Sequence, residues 1–325
     1  MNLWNPAGAS LLVRIPLSWI FGVLAALRRA LYRRGSLRVE RLDVPVIVVG
    51  NITVGGSGKT PLTIWLVDRL GEWGWQPGIA SRGYGGQSRQ PALVEPTSDP
   101  ARMGDEPVML ARRTGRPVVV AKRRVEAAKA LQQSGCTIIV ADDGLQHYAL
   151  GRDLEIAMVD GTRRFGNGRL LPAGPLREPI ARLENVDIVV TKGHPHPGEF
   201  GMELTASCWR NVTAPDLSRP SEFFRDRSAH AVAGIAYPPS FFEALRRLGI
   251  RVIEHPYPDH HVFARNELAF DDDLPVLMTE KDAVKCQRLG LQNAWYLEVE
   301  ACFDTAFVAA LRERLERMRK TSGGA

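Results

Sequence analysis

The stretch Pro45-Val-Ile-Val-Val-Gly-Asn-Ile-Thr-Val-Gly-Gly-Ser-Gly-Lys-Thr-Pro61 constrains the fold more than any other. The apolar run Val46 to Val49 reads as a buried strand. A glycine-rich loop follows, then an apolar-periodic segment that reads as a helix at about 61–73. Strand, loop and helix in this order form the layout of a phosphate-binding P-loop. Gly55, Gly56 and Gly58 tolerate positive φ and let backbone N–H groups approach phosphate oxygens. Lys59 can reach the outer phosphates, and the Thr60 hydroxyl is a ligand for Mg²⁺. The expected nucleotide-binding set is therefore Thr53, Val54, Gly55, Gly56, Ser57, Gly58, Lys59 and Thr60. Thr53 stands where the common G-x-x-x-x-G-K-[ST] pattern has its first glycine, so the loop is a variant.

A second pattern complements the loop. Residues 136–147 run through apolar β-formers into Asp142-Asp143-Gly144. An aspartate at the end of a strand beside the P-loop holds Mg²⁺ in P-loop enzymes, and the carboxyl ends of strands are where open α/β sheets place ligands. Gly104-Asp-Glu-Pro107 opens a helix, where Asp105 reads equally as a cap or as a carboxylate facing the phosphates, with Glu106 beside it. Lys122-Arg-Arg124 begins another helix and opposes its dipole, which hints at an anionic partner. The long Gly- and Pro-rich connection between the strands at 154–160 and 186–191 is of a length often functional. It ends in Arg177-Glu178, candidates for contact with a phosphate and the metal shell. Pro258-Asp-His-His261 offers a histidine poised by a carboxylate.

The 325-residue chain has the 45% hydrophobic and 24% charged composition of a globular protein with a sizeable core. Residues 1–43 carry seven Arg against Glu40 and Asp43, which accounts for most of the net charge of +6. The basic character is local, which argues against a nucleic-acid partner. Residues 15–27 are about 13 nearly unbroken apolar residues followed by clustered Arg. That is short of the roughly 20 needed to span a bilayer, and fits a helix lying in an anionic membrane interface. Four scattered cysteines form no C-x-x-C, which points to reduced thiols and no zinc site. No guanine-reading motif is complete, since Thr191-Lys-Gly-His194 ends in His, so ATP is favoured.

The expected fold is α/β: a P-loop kinase-type, mostly parallel sheet flanked by helices, with a smaller C-terminal α/β domain and an N-terminal membrane-interface helix. The expected boundaries are 1–43 for the N-terminal segment, 44–200 for the nucleotide-binding domain, 201–228 for a linker and 229–325 for the C-terminal domain.

Together, the P-loop stretch, Ser81-Arg-Gly-Tyr-Gly-Gly86, Gly104-Asp-Glu-Pro107, Asp142-Asp-Gly-Leu-Gln-His147, Arg164-Phe-Gly-Asn-Gly168, Leu171-Pro-Ala-Gly-Pro-Leu-Arg-Glu178, Pro258-Asp-His-His261 and Thr279-Glu-Lys-Asp-Ala-Val-Lys285 resemble the tetraacyldisaccharide 4′-kinase family. The resemblance covers nearly the whole chain. It implies ATP-dependent, Mg²⁺-assisted phosphorylation of the 4′-hydroxyl of tetraacyldisaccharide 1-phosphate, a lipid A precursor. It implies Asp105 paired with His260 as catalytic residues, with Lys59 and Arg177 on the phosphates. The metal set would be Thr60, Asp142 and Asp143, with Glu106 and Glu178 as further candidates. The expected setting is a monomer on the cytoplasmic face of an inner membrane, touching the lipid substrate and an anionic surface. The alternative is a P-loop NTPase switch or metallochaperone without a lipid acceptor.

Overall fold

A computed structural model describes residues 4, 10–83 and 90–322. Its centre is one mixed sheet of 13 strands. The first half holds β1 (Val46–Gly50), β2 (Pro77–Ser81), β3 (Ala92–Val94), β4 (Val118–Val120), β5 (Ile138–Ala141), β6 (Leu154–Asp160) and β7 (Ile188–Lys192). These lie in the order β7-β6-β1-β5-β2-β4-β3, all pairs parallel except the edge pair β3–β4. β1 and β5 are parallel neighbours, so the P-loop and Asp142-Asp143 leave the sheet at the same end.

Period-2 alternation sorts β1 onto two cores. Ile47 and Val49 face a cluster with Leu62, Leu66 and Leu70, while Val46 and Val48 face one with Val125, Ala128 and Leu131. A parallel sheet covered on both faces requires such continuous apolar strands. The covering helices of this half are α2 (Lys59–Glu72), the short α3 (Pro100–Met103), α4 (Asp105–Thr114) and α5 (Arg124–Gln133). Pro61 falls in the first turn of α2, where its missing N–H costs nothing.

Residues 201–228, expected as a linker, continue the sheet instead. They contain most of β8 (Phe200–Asn211), and β9 (Ser218–Pro220) pairs with it. β8 runs parallel to β7 and antiparallel to β13 (Ala294–Phe303), so it joins the two halves through hydrogen bonds. The remaining strands β10 (Ser228–Ala233), β11 (Arg251–Pro256) and β12 (Val276–Thr279) complete the order β8-β13-β12-β10-β11. Helices α6 (Pro238–Arg247) and α7 (Glu280–Cys286) cover this part. The last helix, α8 (Thr305–Ser322), packs back on the first half, with Phe307, Leu311 and Leu315 in the core that contains Leu62 and Leu66.

The N-terminal helix α1 (Ser10–Arg33) is 24 residues long, against the 13 apolar residues read from sequence. Arg14 and the Arg28-to-Arg33 cluster are built into its ends, and by length and composition it reaches the size of a membrane-crossing helix.

Candidate active site

The P-loop arches from the end of β1 to the start of α2. Asn51 is buried inside the arch, and its amide reaches Ser57 Oγ at 3.0 Å and both Thr53 Oγ1 and the Gly55 carbonyl at 3.4 Å. Gly58 caps α2 in the left-handed region, with φ 92°. The arch is also held from outside. Val54 N–H donates to the Pro175 carbonyl at 2.8 Å, Arg177 N–H donates to the Ile52 carbonyl at 2.7 Å, and Thr53 forms an antiparallel bridge with Leu176. An extended, strand-paired position suits a β-branched residue, which explains Thr53 in place of glycine.

Lys59 stands at the first position of α2, its Nζ 3.4 Å from Asp143 Oδ1. Arg177 places Nη1 2.9 and 3.1 Å from the two oxygens of Asp143. Burial alone would push the Asp143 carboxyl up, but Lys59, Arg177 and Arg124 hold it far below the usual carboxylate range. Asp142 moves the other way, up to about 7, driven by burial and by the charges of Glu106 and Asp143. It receives one long hydrogen bond, from Thr63 Oγ1 at 3.4 Å. Of the cationic trio 122–124, Arg124 is buried and donates to the Asp142 and Asp143 carbonyls at 3.0 and 2.6 Å. Arg123 pairs with Glu40, and Lys122 is exposed. Arg124 therefore shapes the Asp-Asp turn, where Asp143 has a positive φ of 47°.

These residues fit a divalent cation. Asp142 is a buried carboxylate crowded by two others and short of donors, which is the chemistry of a site that takes a hard cation through oxygen ligands. Among the described residues no ready-made cage of three His, Cys, Asp or Glu side chains is formed. Mg²⁺ commonly keeps waters and takes one or two carboxylates plus substrate phosphates. Glu178 does not join the cluster. Its oxygens accept from Gln146 Nε2 at 2.8 Å and from the Tyr148 hydroxyl, and Arg182 lies 3.5 Å away. It steadies the loop behind Arg177 rather than facing Asp142.

The second half contributes from across the cleft. His260, in the loop after β11, lies with Nδ1 3.0 Å from Asp105 Oδ2. Gly104 occupies the cap position of α4, and Asp105 is its first residue. The Glu106 N–H donates to Asp105 Oδ1 at 2.9 Å, which leaves Oδ2 turned to His260. Gly104, not Asp105, therefore holds the cap position of α4. Lys281, at the start of α7, completes the cluster. Its Nζ is 3.1 Å from Glu106 Oε1, 3.3 Å from Asp259 Oδ1 and 3.9 Å from Asp105 Oδ2. Burial pulls the Asp105 carboxyl upward, but the His260 hydrogen bond and the Lys281 charge outweigh it and hold it below its ordinary value. The Asp105 hydrogen bond in turn raises the His260 imidazole, against burial and Lys281.

Lys281 falls within one of the sequence motifs, but the sequence alone gives it no role. A lysine in the first turn of a helix opposes the dipole, and that is the signal the sequence offers. Tyr84, Gly85 and Gly86 of the glycine-rich motif lie outside the described residues.

A P-loop, a carboxylate pair at the adjacent strand end and an Asp105–His260 pair joining the two halves are the parts of a P-loop phosphotransferase. The profile of the tetraacyldisaccharide-1-P 4′-kinase (LpxK) family matches residues 10–316, and the chain belongs to that family. It is 52% identical over 303 residues to the tetraacyldisaccharide 4′-kinase of Alkalilimnicola ehrlichii, covering 93% of this chain and 90% of the relative. It is 48% identical over 322 residues to that of Nitrosococcus oceani, covering 98% and 95%. The crystal structure of LpxK from Aquifex aeolicus superposes with a TM-score of 0.79 at 29% identity, covering 95% of this chain and 98% of that one. The alternative of a switch or metallochaperone finds no support in these relatives.

Proposed function

We propose that the chain transfers the terminal phosphoryl group of ATP to the 4′-hydroxyl of tetraacyldisaccharide 1-phosphate, with Asp105 as the base. ATP as donor is supported by the P-loop and by the Aquifex aeolicus relative, whose structure is a complex with ATP. The loop amides of 55–60 and Lys59 receive the phosphates. Thr60, Asp142 and Asp143, with Glu106 beside them, would hold Mg²⁺, which when bound neutralises phosphate charge. Asp105 takes the hydroxyl proton as the O4′–P bond forms and the bond to the leaving ADP oxygen breaks. A carboxylate of low pKa suits a loose transition state, in which the hydroxyl proton is lost late. His260 orients Asp105, and Lys281 keeps it ionised.

The observation that carries this reading is the Asp105–His260 pair bridged by Lys281 to Glu106, whose charge reaches Asp142 at the phosphate end. One chain supplies every one of these groups, which supports action as a monomer. The exposed apolar side of α1 supports work at an anionic membrane surface, where a multi-acyl substrate resides. Asp105→Ala should lower turnover by roughly 10²–10⁴-fold, the usual worth of a general base, while ATP still binds. Labelled-phosphate transfer in mixed micelles, with a nucleotide titration beside it, reads both; unchanged turnover removes Asp105 as the base.

A further inference from the structure

Arg177, expected on the phosphates, already sets its Nη1 2.9 and 3.1 Å from the two oxygens of Asp143, and Arg124 directs Nε and Nη2 to backbone carbonyls. A third arginine is differently placed. Arg163 leaves the turn after β6, where Asp160 Oδ1 accepts the N–H groups of Thr162 and Arg163 at 3.1 and 2.9 Å. Its Nη2 donates to the Gly56 carbonyl in the P-loop and lies 3.3 Å from Asp160 Oδ2. Its side chain is only 10% exposed, and Nε and Nη1 are buried without a hydrogen-bond partner. Asp160 also pairs with Lys192 at 2.9 Å, so one carboxylate faces two cations.

A buried guanidinium with orphaned donors costs stability unless something pairs with it. The unmet Nη1 lies at the P-loop: a Cβ on Gly55 would come 4.0 Å from it. Gly55 has φ +87° and carries no side chain, which keeps that approach open. The guanidinium carbon lies over the Trp4 ring, 4.2 Å from its centroid, and over the Tyr237 ring, at 5.1 Å. Cation–π contacts of this kind steady the fork without using its N–H groups. Tyr237 comes from the second half, so residues of both halves contact the guanidinium.

P-loop backbones cradle the β- and γ-phosphates, and P-loop enzymes complete transition-state charge with an arginine supplied in cis or in trans. We propose that Arg163 is this chain's own arginine finger, with its Nη1 hydrogen-bonding a γ-phosphoryl oxygen in the transition state. It exchanges no proton. The O4′–P bond forms and the bond to the ADP oxygen breaks as in the reaction above, and Arg163 matches the charge that spreads over the transferring group. The inference rests on the phosphotransfer reading of the site.

The test compares wild type, Arg163→Ala and Arg163→Lys in two measurements. One is kcat and KM for ATP in mixed micelles. The other is binding of ADP alone and of ADP with aluminium fluoride, which mimics the transferring phosphoryl and needs no lipid acceptor. Arg163→Ala should lose on the order of 10³-fold in kcat, the lower end for such fingers, with KM for ATP and ADP affinity within about threefold. The tightening by aluminium fluoride should disappear, and added guanidinium should restore part of the turnover. Arg163→Lys keeps a charge but not the fork, and should fall between the two. Equal weakening of ADP and ADP–aluminium fluoride would make Arg163 a prop of the loop and overturn the proposal, as would a kcat within tenfold of wild type. Absence of lipid phosphorylation by wild type itself would instead sink the underlying reading.

Discussion

Asp105 and His260 set each other's proton affinity, and the direction of each shift determines how the site responds when one of them is removed. Burial raises Asp105, while His260 and Lys281 lower it further than burial raises it. In wild type the acid limb of kcat, where the base becomes protonated, should therefore lie below the ordinary Asp value of about 3.9. His260→Ala deletes the strongest lowering contact and leaves burial opposed by Lys281. The Asp105 pKa then rises and the acid limb moves to higher pH, with a lower plateau from lost orientation. A kcat profile from pH 4 to 9 reads this; a lower plateau with the limb unmoved would assign His260 to some other task. The pairing itself was legible from Gly104-Asp-Glu-Pro107 and Pro258-Asp-His-His261, because both are local motifs. Lys281, Arg163 and Asn51 were missed as site residues. Their roles depend on what lies opposite: Lys281 on three carboxylates from two other segments, Arg163 on a loop carbonyl 107 residues away. The partners of Glu178, Gln146 and Tyr148, could not be read from its own segment either, since they come from another strand end.

The element that buttresses the P-loop is the hairpin-like loop at 167–177. It lends backbone bonds to Ile52 and Val54 and carries Arg177 to Asp143. Its own geometry turns on Gly174, where a Cβ would come 2.4 Å from the Arg169 carbonyl and 2.1 Å from Asn167 Oδ1. Asn167 is held in place by its bond to the Ala173 carbonyl at 2.8 Å. Gly174→Ala must therefore displace backbone. Overpacking of this size costs about 1–3 kcal/mol, and the strain falls on the support of the P-loop. The expected result is a roughly tenfold or greater loss of ATP-analogue affinity, about the 1.4 kcal/mol that equals a factor of ten, with a modest fall in melting temperature. Full affinity in a folded Gly174→Ala protein would show that the P-loop stands without its buttress. Most strands were legible because the parallel ones are unbroken or nearly unbroken apolar runs, as at 46–49 and 138–141. β8 was not, and the reason is physical. It carries Glu203, Thr205 and Ser207 on a half-solvated stretch paired to β13, so its polar pattern resembles a connection.

At the scale of the whole molecule, α1 is the element that bears on membrane attachment. The length of α1 would let it cross a bilayer, but its attachment argues otherwise. A Cβ on Gly22, near the middle of α1, would meet Leu170 Cδ1 at 2.8 Å, and Tyr32 approaches Tyr148 with ring centroids 6.0 Å apart. The helix is therefore laid against the enzyme body near the loop that buttresses the P-loop. A spanning helix would draw that polar body into the hydrocarbon layer, where its unpaired backbone and charges are costly. Away from the body, Val13, Trp19, Ile20, Val23 and Leu24 are each more than half exposed. Each large apolar side chain gains about 1.5–3 kcal/mol on leaving water, and Arg28, Arg29, Arg33 and Arg34 at the end of the helix add attraction to anionic lipid that salt screens. Both terms favour a helix lying in the interface. Trp19→Glu with Val23→Glu should thus cut co-sedimentation with anionic vesicles and raise KM for the vesicle-borne lipid by tenfold or more, since two interfacial anchors are replaced by charges that the leaflet repels. KM for ATP should stay within about twofold because neither residue approaches the P-loop. Wild-type binding should weaken as salt rises while retaining a salt-resistant fraction from the apolar side. Vesicle binding by the double variant equal to that of wild type would place membrane attachment elsewhere on the molecule.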